Sequence, residues 1–307
     1  MANRKKEIEN ASWISIIGNA LLSASKIVIG LIAGSLAVVA DGIDSASDIV
    51  TSVITLLTAR IISKPPDIKY PYGYERADTI AAKVLSFVIF FAGAQLGIST
   101  IMRIIGTEEH NLPSKLAIYI TGVSIVGKLL LAWHQFRVGK KTQSAMLIAN
   151  AKNMQNDVII SLAVLIGLVF TFILNLPVLD AITALAVSIW IMKVAFEIFM
   201  QTNRELMDGL KNPEVYKKVF NAIDAVKGVT NPHRVRMRQL GNMYVMDIDI
   251  EVEGSLTVHE AHEIAHRVEE KVKKDIGNIY DMMIHVEPVG DDASNEKFGV
   301  SKKQCKW

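Results

Sequence analysis

Three aspartates stand in an otherwise apolar stretch, SLAVVADGIDSASDIVTSVI, between Ser35 and Ile54: Asp41, Asp44 and Asp48. Asp44 and Asp48 are four residues apart, so on a helix they share a face. A second oxygen-bearing pair with the same spacing lies in NAKNMQNDVII, at Asn153 and Asp157. Two such pairs on neighbouring helices can offer four oxygen ligands to one ion. Carboxylate and amide oxygens are hard ligands that suit manganese and magnesium, whereas imidazole suits zinc. An ionised carboxylate at the centre of a bilayer costs several kcal/mol, roughly 2.5 or more even on insertion scales. Helix packing alone has no use for three of them. Asn153 taken alone equally suits a hydrogen bond from helix to helix. Asp41, one turn before Asp44, suits a structural role or a path for protons.

These pairs need elements to position them, and the sequence supplies long apolar ones. The 307-residue chain is 50% hydrophobic, with a mean hydropathy of +0.30, above what a soluble domain carries. Six apolar segments, near 11–33, 36–61, 79–105, 115–137, 145–174 and 178–201, are long enough to cross a hydrocarbon core. Val84–Met102 and Val158–Leu179 contain no charge at all. The links at Gly34–Ser35, 106–114 and Asn175–Pro177 are poor in basic residues. Arg4, Lys5, Lys6, Arg60, Lys64, Lys69, Arg76, Arg137, Lys140 and Lys141 gather at the opposite ends. The positive-inside rule then predicts a multi-pass protein of the cell membrane with both termini in the cytoplasm. No small-residue cleavage site follows a short apolar core, so the first helix is read as retained. Lys83, Lys128 and Lys152 lie within or beside the apolar segments, and each either pairs with an acid or snorkels.

After Leu206 the pattern changes to period two. In MYVMDIDIEVE, Tyr244, Met246, Ile248, Ile250 and Val252 take one strand face and Asp247, Asp249 and Glu251 the other. Gly241–Asn242 reads as the hairpin turn before it. NPEVYKKVFNAIDAV and TVHEAHEIAHRVEEKV read as helices, the second with Thr257 as N-cap and Val258, Ala261, Ala265, Val268 and Val272 as a core stripe. YDMMIHVEP is a last strand. The order αββαβ predicts a small α+β domain. The polar stretch after Gly290 reads as disordered. The expected architecture is thus a six-helix transmembrane domain over 1–208, an α+β domain over 209–290 and a disordered tail over 291–307.

A net charge of +2 gives no reason to expect nucleic acid. A single cysteine, Cys305, excludes a disulfide framework and a thiolate metal cluster. No nucleotide-binding glycine fingerprint occurs, and no nucleophile, base and orienting group come together in sequence. An enzyme is not expected, nor a cofactor beyond a divalent metal.

ADGIDSASD, YPYGYERAD, NAKNMQND, LDAITALAVSIWIMKVAFEIF with ELMDG, and the αββαβ module ending in IHVEP occur in that order. Together they resemble the cation diffusion facilitator family of proton-coupled divalent-metal exporters, over nearly the whole chain. The resemblance implies a homodimer in the bilayer with one transport site per protomer, at Asp44, Asp48, Asn153 and Asp157. It implies a charge interlock between Arg76 and Asp208. In the cytoplasmic domain it implies metal ligands at His233, Asp249, His262, His285 and Glu287. Spacing adds that His285, Glu287 and Asp281 share a strand face and that His259, His262 and His266 lie on one side of a helix. A solvated helix face with histidines by chance is the plainer alternative. Five of the seven histidines fall in this module, whereas His110 and His134 read as an outer-loop and a helix-end residue.

The chain also departs from the family pattern. Zinc exporters carry His at leading positions of the two four-spaced motifs, where this chain has Asp44 and Asn153. The manganese-type branch has Asp or Asn there, so Mn²⁺ is the expected cargo, ahead of zinc, iron and cobalt. In the loop between the second and third helices, many members pair an Asp with a His seven residues on to hold a second zinc. Here Asp67 remains, but Tyr74 stands in the histidine's place, so this second site is expected to be weak or absent. A zinc or ferrous-iron exporter of the same fold is the nearest rival reading. A membrane metal sensor that binds without transporting is a rival of another class.

Overall fold

The structure is a computed structural model that describes residues 2–106, 111–210, 212–240, 243–290 and 298–305. Six long helices come first: α1 (Ala2–Ala33), α2 (Leu36–Ile62), α3 (Arg76–Ile105), α4 (Leu116–Thr142), α5 (Ala145–Leu174) and α6 (Val178–Leu206). Five stretches within them, Glu9–Ala33, Arg76–Ile105, Leu116–Thr142, Leu147–Leu174 and Val178–Leu206, are long and apolar enough to cross a membrane. The aspartate-bearing α2 is not among those five. The chain divides into two compact units, Met1–Ala59 with Ala81–Phe199, and Arg60–Ile80 with Met200–Trp307.

The first unit is a helical bundle with its polarity turned inward. On α4 the buried positions Ala117, Thr121, Ser124, Lys128, Ala132, Gln135, Gly139 and Thr142 recur every three or four residues and are small or polar, with Ile120 the one large apolar residue buried beside them. Tyr119, Val123, Val126, Leu130 and Trp133 of the same helix point outward and are exposed. A soluble amphipathic helix does the reverse; this arrangement suits helices that meet hydrocarbon outside and small residues at their contacts. An apolar layer of Ala37, Val38, Leu85, Ile89, Val164, Leu168, Ala184 and Ile191 joins α2, α3, α5 and α6.

The phase of α2 is set at its first turn. Gly34 has φ +70°, a left-handed value that glycine adopts without strain. The carboxylate of Asp180 on α6 then accepts hydrogen bonds from Ser35 Oγ (2.5 Å) and the Leu36 amide (2.8 Å). An anion at a helix N-terminus satisfies orphan amides and suits the dipole. Counting on from that anchor, α2 buries Asp41 and leaves Asp44 and Asp48 half-buried.

The second unit holds α7 (Val215–Asp224), β1 (Thr230–Leu240), β2 (Met243–Val252), α8 (Val258–Ile276) and β3 (Ile279–Pro288), the expected αββαβ order. The strands run in the order β1-β2-β3, with β1 and β2 antiparallel and β2 and β3 parallel. A parallel pair needs a crossover, and α8 supplies it. Phe220 and Ile223 of α7, Met246, Ile248 and Ile250 of β2, and Ile264, Val268 and Val272 of α8 form the core. Thr257 caps α8 in a full capping box with Glu260. The Gly241–Asn242 turn lies outside the described residues, between the paired strand ends Leu240 and Met243.

Two expectations are corrected here. Val258 is not core but 88% exposed, because it is the first residue after the cap; Ile264, overlooked in the stripe, takes part in the core instead. The tail is not uniformly disordered. Val300 bridges Val235 on the edge of β1, with amide hydrogen bonds of 3.1 and 2.9 Å in the two directions. A 3₁₀ turn follows at Lys302–Cys305, Lys302 pairs with Asp224 at 2.5 Å, and Val300 and Cys305 pack on the core. An open strand edge attracts any extended segment, and two apolar side chains suffice to dock this one despite its polar composition. Residues 291–297 and 306–307 lie outside the described residues. Truncation after Lys297 is expected to lower the thermal midpoint of the second unit by ~4 °C or more, the effect of ~1 kcal/mol on a domain of this size. Scanning calorimetry checks it.

Candidate metal centre

Asp48 of α2 and Asn153 and Asp157 of α5 line one cavity of about 610 Å³, closed on its third side by Ser12, Ser15 and Asn19 of α1. Oxygen and amide groups dominate its polar wall, which has no histidine and no thiol. Asp44 is not on that wall, but lies close enough to Asp157, Lys128, Asp41 and Lys26 to feel their charges. Of the sequence-predicted four, three line the cavity, Asn153 at an exposed position, and Asp44 lies off its wall.

Two of the buried aspartates of the bundle, Asp157 and Asp41, each meet a lysine. Asp157 is buried, and Lys128 of α4 reaches its Oδ2 at 2.9 Å. Of the three lysines left open by the sequence, Lys128 pairs with an acid, Lys83 lies over the Phe199 ring at 5.2 Å, and Lys152 is exposed on α5. Asp41 pairs with Lys26 of α1 at 2.7 Å. Ser161 of α5 donates to Asp41 Oδ1 at 2.8 Å and accepts from Lys26 Nζ at 2.9 Å. This pair ties three helices together, the structural one of the two roles open to Asp41. Sequence reasoning passed over Lys26, although it is the one charged residue between 11 and 33; a lone ammonium there demands a buried acid. It also passed over the capping role of Asp180.

A second cluster sits in the α+β domain. His233, Asp249 and Glu287 place one ligand atom each within 4.8 Å of one another, the one such group among the described residues. The carboxylates of α2 and α5 do not close in that way. His233 Nδ1 lies 2.7 Å from the Asn231 carbonyl. A ring nitrogen facing a carbonyl carries the proton, so in the neutral ring Nε2 presents its lone pair. A fixed tautomer of this kind orients a metal-binding imidazole. Glu287 spans two rings, with Oε2 3.4 Å from His233 and Oε1 3.3 Å from His285. Asp249 is buried and is met by Arg234 Nη2 at 2.5 Å. A register shift in β1 between His233 and Arg236, with Arg234 at φ +45°, brings these neighbours to the same carboxylate. His285 thus adjoins the cluster. His262 is exposed on α8, stacked against His266 with centroids 6.5 Å apart, and stands outside the group. His259 and Asp281 are also exposed, His134 is half-buried on α4, and His110 lies outside the described residues.

In the loop between α2 and α3, Asp67 Oδ1 accepts the amides of Lys69 (2.9 Å) and Tyr70 (2.8 Å), and Oδ2 accepts the Tyr74 hydroxyl at 2.6 Å. The Tyr74 hydrogen bond, above all, holds the Asp67 carboxyl below its ordinary range. The seven-residue spacing does bring a partner to Asp67, but one that donates a proton where a histidine could ligate. Arg76 and Asp208 are hydrogen-bonded to each other, and Thr79 donates to Glu205 at 3.2 Å.

Residues 12–207 match the family described as Cation efflux transmembrane domain, and residues 212–289 that described as Cation efflux protein, cytoplasmic domain. The manganese efflux system protein MneS of Bacillus subtilis (strain 168) is 32% identical over 286 residues, covering 92% of this chain and 97% of the relative. MneP of the same organism is 30% identical over 298 residues, covering 94% and 99%. The metal-bound C-terminal domain of the CzcD transporter from Thermotoga maritima is 38% identical over 25% of this chain and 91% of that one, with a TM-score of 0.25. Two family domains in order, on a bundle of apolar helices followed by an α+β domain, make the chain a membrane transporter and not an enzyme; it belongs to the cation efflux family, the cation diffusion facilitators.

Proposed function

We propose that the chain is a proton-coupled antiporter that exports a divalent metal, Mn²⁺ ahead of others, from the cytoplasm. The observation that carries this reading is the convergence of Asp48, Asn153 and Asp157 on one cavity with oxygen donors and no imidazole, with Asp44 one turn away. The names of MneS and MneP point to the same cargo. A hard cation of the manganese type takes several oxygen ligands, and three carboxylates offset its charge where water is scarce. Zn²⁺ gains less from an amide oxygen than from a ring nitrogen, so Asn153 disfavours it.

The remaining parts take the following roles. Residues 1–208 form the membrane domain, with the basic ends of the helices, and both termini, in the cytoplasm. Residues 209–290 form a cytoplasmic domain that joins two copies, and in it His233, Asp249 and Glu287, with His285 beside them and His262 on the adjoining helix, form a regulatory metal site. Arg76 and Asp208 lock the membrane-surface ends of α3 and α6 together in the dimer. Asp67 is at most a weak site, since both its oxygens are already occupied.

Alanine at Asp44, Asp48 or Asp157 should each lower Mn²⁺ uptake into proteoliposomes by about tenfold or more, the effect of ~1.4 kcal/mol lost at the site. Near-normal uptake would remove that residue from the site. Asn153→His should raise the ratio of Zn²⁺ to Mn²⁺ transport in a single liposome batch; an unchanged ratio would place selectivity elsewhere. The carboxylates are the titratable acids at the cavity, so Mn²⁺ binding to the detergent-purified protein should release protons. Asp48→Asn should release fewer, as potentiometric titration will show. A sensor that does not carry would bind Mn²⁺ without moving it across the bilayer.

A further inference from the structure

The bundle seals two lysines inside it, at 0% and 1% exposure for Lys26 and Lys128, and each meets an aspartate. What differs is the far side of the carboxylate. Both oxygens of Asp41 are taken, Oδ2 by Lys26 and Oδ1 by Ser161, and neither residue lines a cavity wall described above. That pair is closed. Asp157 has the Lys128 ammonium behind it at 2.9 Å and the cavity of Asp48 and Asn153 in front. Its carboxylate is open on one side only.

We infer that Lys128 is a positioning residue for transport, an internal cation that alternates with the cargo ion as the partner of Asp157. The inference rests on reading Asp157 as a cargo ligand. A hard divalent ion sits roughly 2.0–2.6 Å from its oxygen ligands. On Asp157 it would stand within a few ångströms of the ammonium, and like charges repel strongly where water is scarce. The ion and the ammonium therefore compete. Asp157 already meets Asp48 on the cavity side, while the ammonium holds its Oδ2 from behind. The ammonium also has somewhere to go. Ser124 lies one turn back on the same buried stripe of α4, and its Oγ has no hydrogen-bond partner among the described residues. When the ammonium returns to Asp157 it withdraws one ligand from the ion. Lys128 thus holds affinity down and speeds release.

The test is Mn²⁺ binding to the full-length protein in detergent, with His233→Ala and Glu287→Ala in every sample so that the α+β domain does not contribute. Lys128→Gln should bind Mn²⁺ about tenfold more tightly or better, since it removes a competing charge, and in liposomes both its KM and its kcat should fall. Lys128→Arg, which keeps the charge, should stay near wild type. Lys128→Gln should also melt lower than wild type in chelator and gain more from saturating Mn²⁺. A variant that binds no more tightly, or stays unfolded even in saturating Mn²⁺, overturns the inference and leaves Lys128 a packing element. Asp157→Asn separates the two levels. If it still binds Mn²⁺ normally, the cargo site itself has been misplaced; if it loses binding while Lys128→Gln fails to tighten it, only the role of Lys128 falls.

Discussion

Charge in a water-poor interior is the constraint on which the first unit depends. Removing one partner of a buried ion pair costs ~3–5 kcal/mol, a large share of the stability of any domain. The bundle answers with partners drawn from other helices. Lys26 of α1 meets Asp41 of α2 and Ser161 of α5; Lys128 of α4 meets Asp157 of α5; Asp180 of α6 meets Ser35 and the amide end of α2. Each contact fixes the rotation of a helix, since a residue one position away would face hydrocarbon. The polar groups are thus the pins of the bundle, and the apolar layer packs around them. Asp44 and Asp48 are different. Among the described residues no basic side chain lies within ion-pair distance of either, and two carboxylates left in this way are a standing attraction for a cation.

Two chemistries are kept apart along the chain. The cavity between α1, α2 and α5 offers oxygen and amide groups. The cluster in the α+β domain offers an imidazole with its tautomer set by a backbone carbonyl, together with two carboxylates. The first suits an ion that must be let go, because hard oxygen ligands bind manganese-type ions less tenaciously than nitrogen ligands bind zinc. The second suits an ion held for longer. Asp157 has Lys128 and Asp249 has Arg234, so in both places a basic side chain shares the carboxylate that a metal would need.

Much of this was legible in the sequence because the signals were strong and local. Hydropathy placed the six helices but stopped short where they run on into polar sequence, by nine residues at the start of α1 and by five at the ends of α4 and α6, and alternation placed β2. Spacing of four put Asp44 with Asp48 and Asn153 with Asp157 on shared faces. What stayed hidden depends on contacts distant in sequence. Nothing in SASKIVIG says that Lys26 faces Asp41, or that Asp180 caps a helix 144 residues earlier. Composition misjudged the tail, since docking on a strand edge needs only Val300 and Cys305 and a glycine at 299. With φ +106° there, a β-carbon would fall 2.7 Å from the Arg234 Cα. The core stripe of α8 slipped at its first turn, where periodicity alone cannot say whether a residue has reached the sheet.

Competitive transport tests the central claim most directly. Full-length wild-type protein is placed in liposomes with an acidic lumen, and Mn²⁺ and Zn²⁺ are supplied outside at equal concentration. An oxygen-lined cavity that exchanges metal for protons predicts that Mn²⁺ accumulates ahead of Zn²⁺ while the lumen loses protons, and that a protonophore abolishes the uptake. Accumulation of Zn²⁺ in preference to Mn²⁺, or Mn²⁺ uptake indifferent to the protonophore, would contradict it.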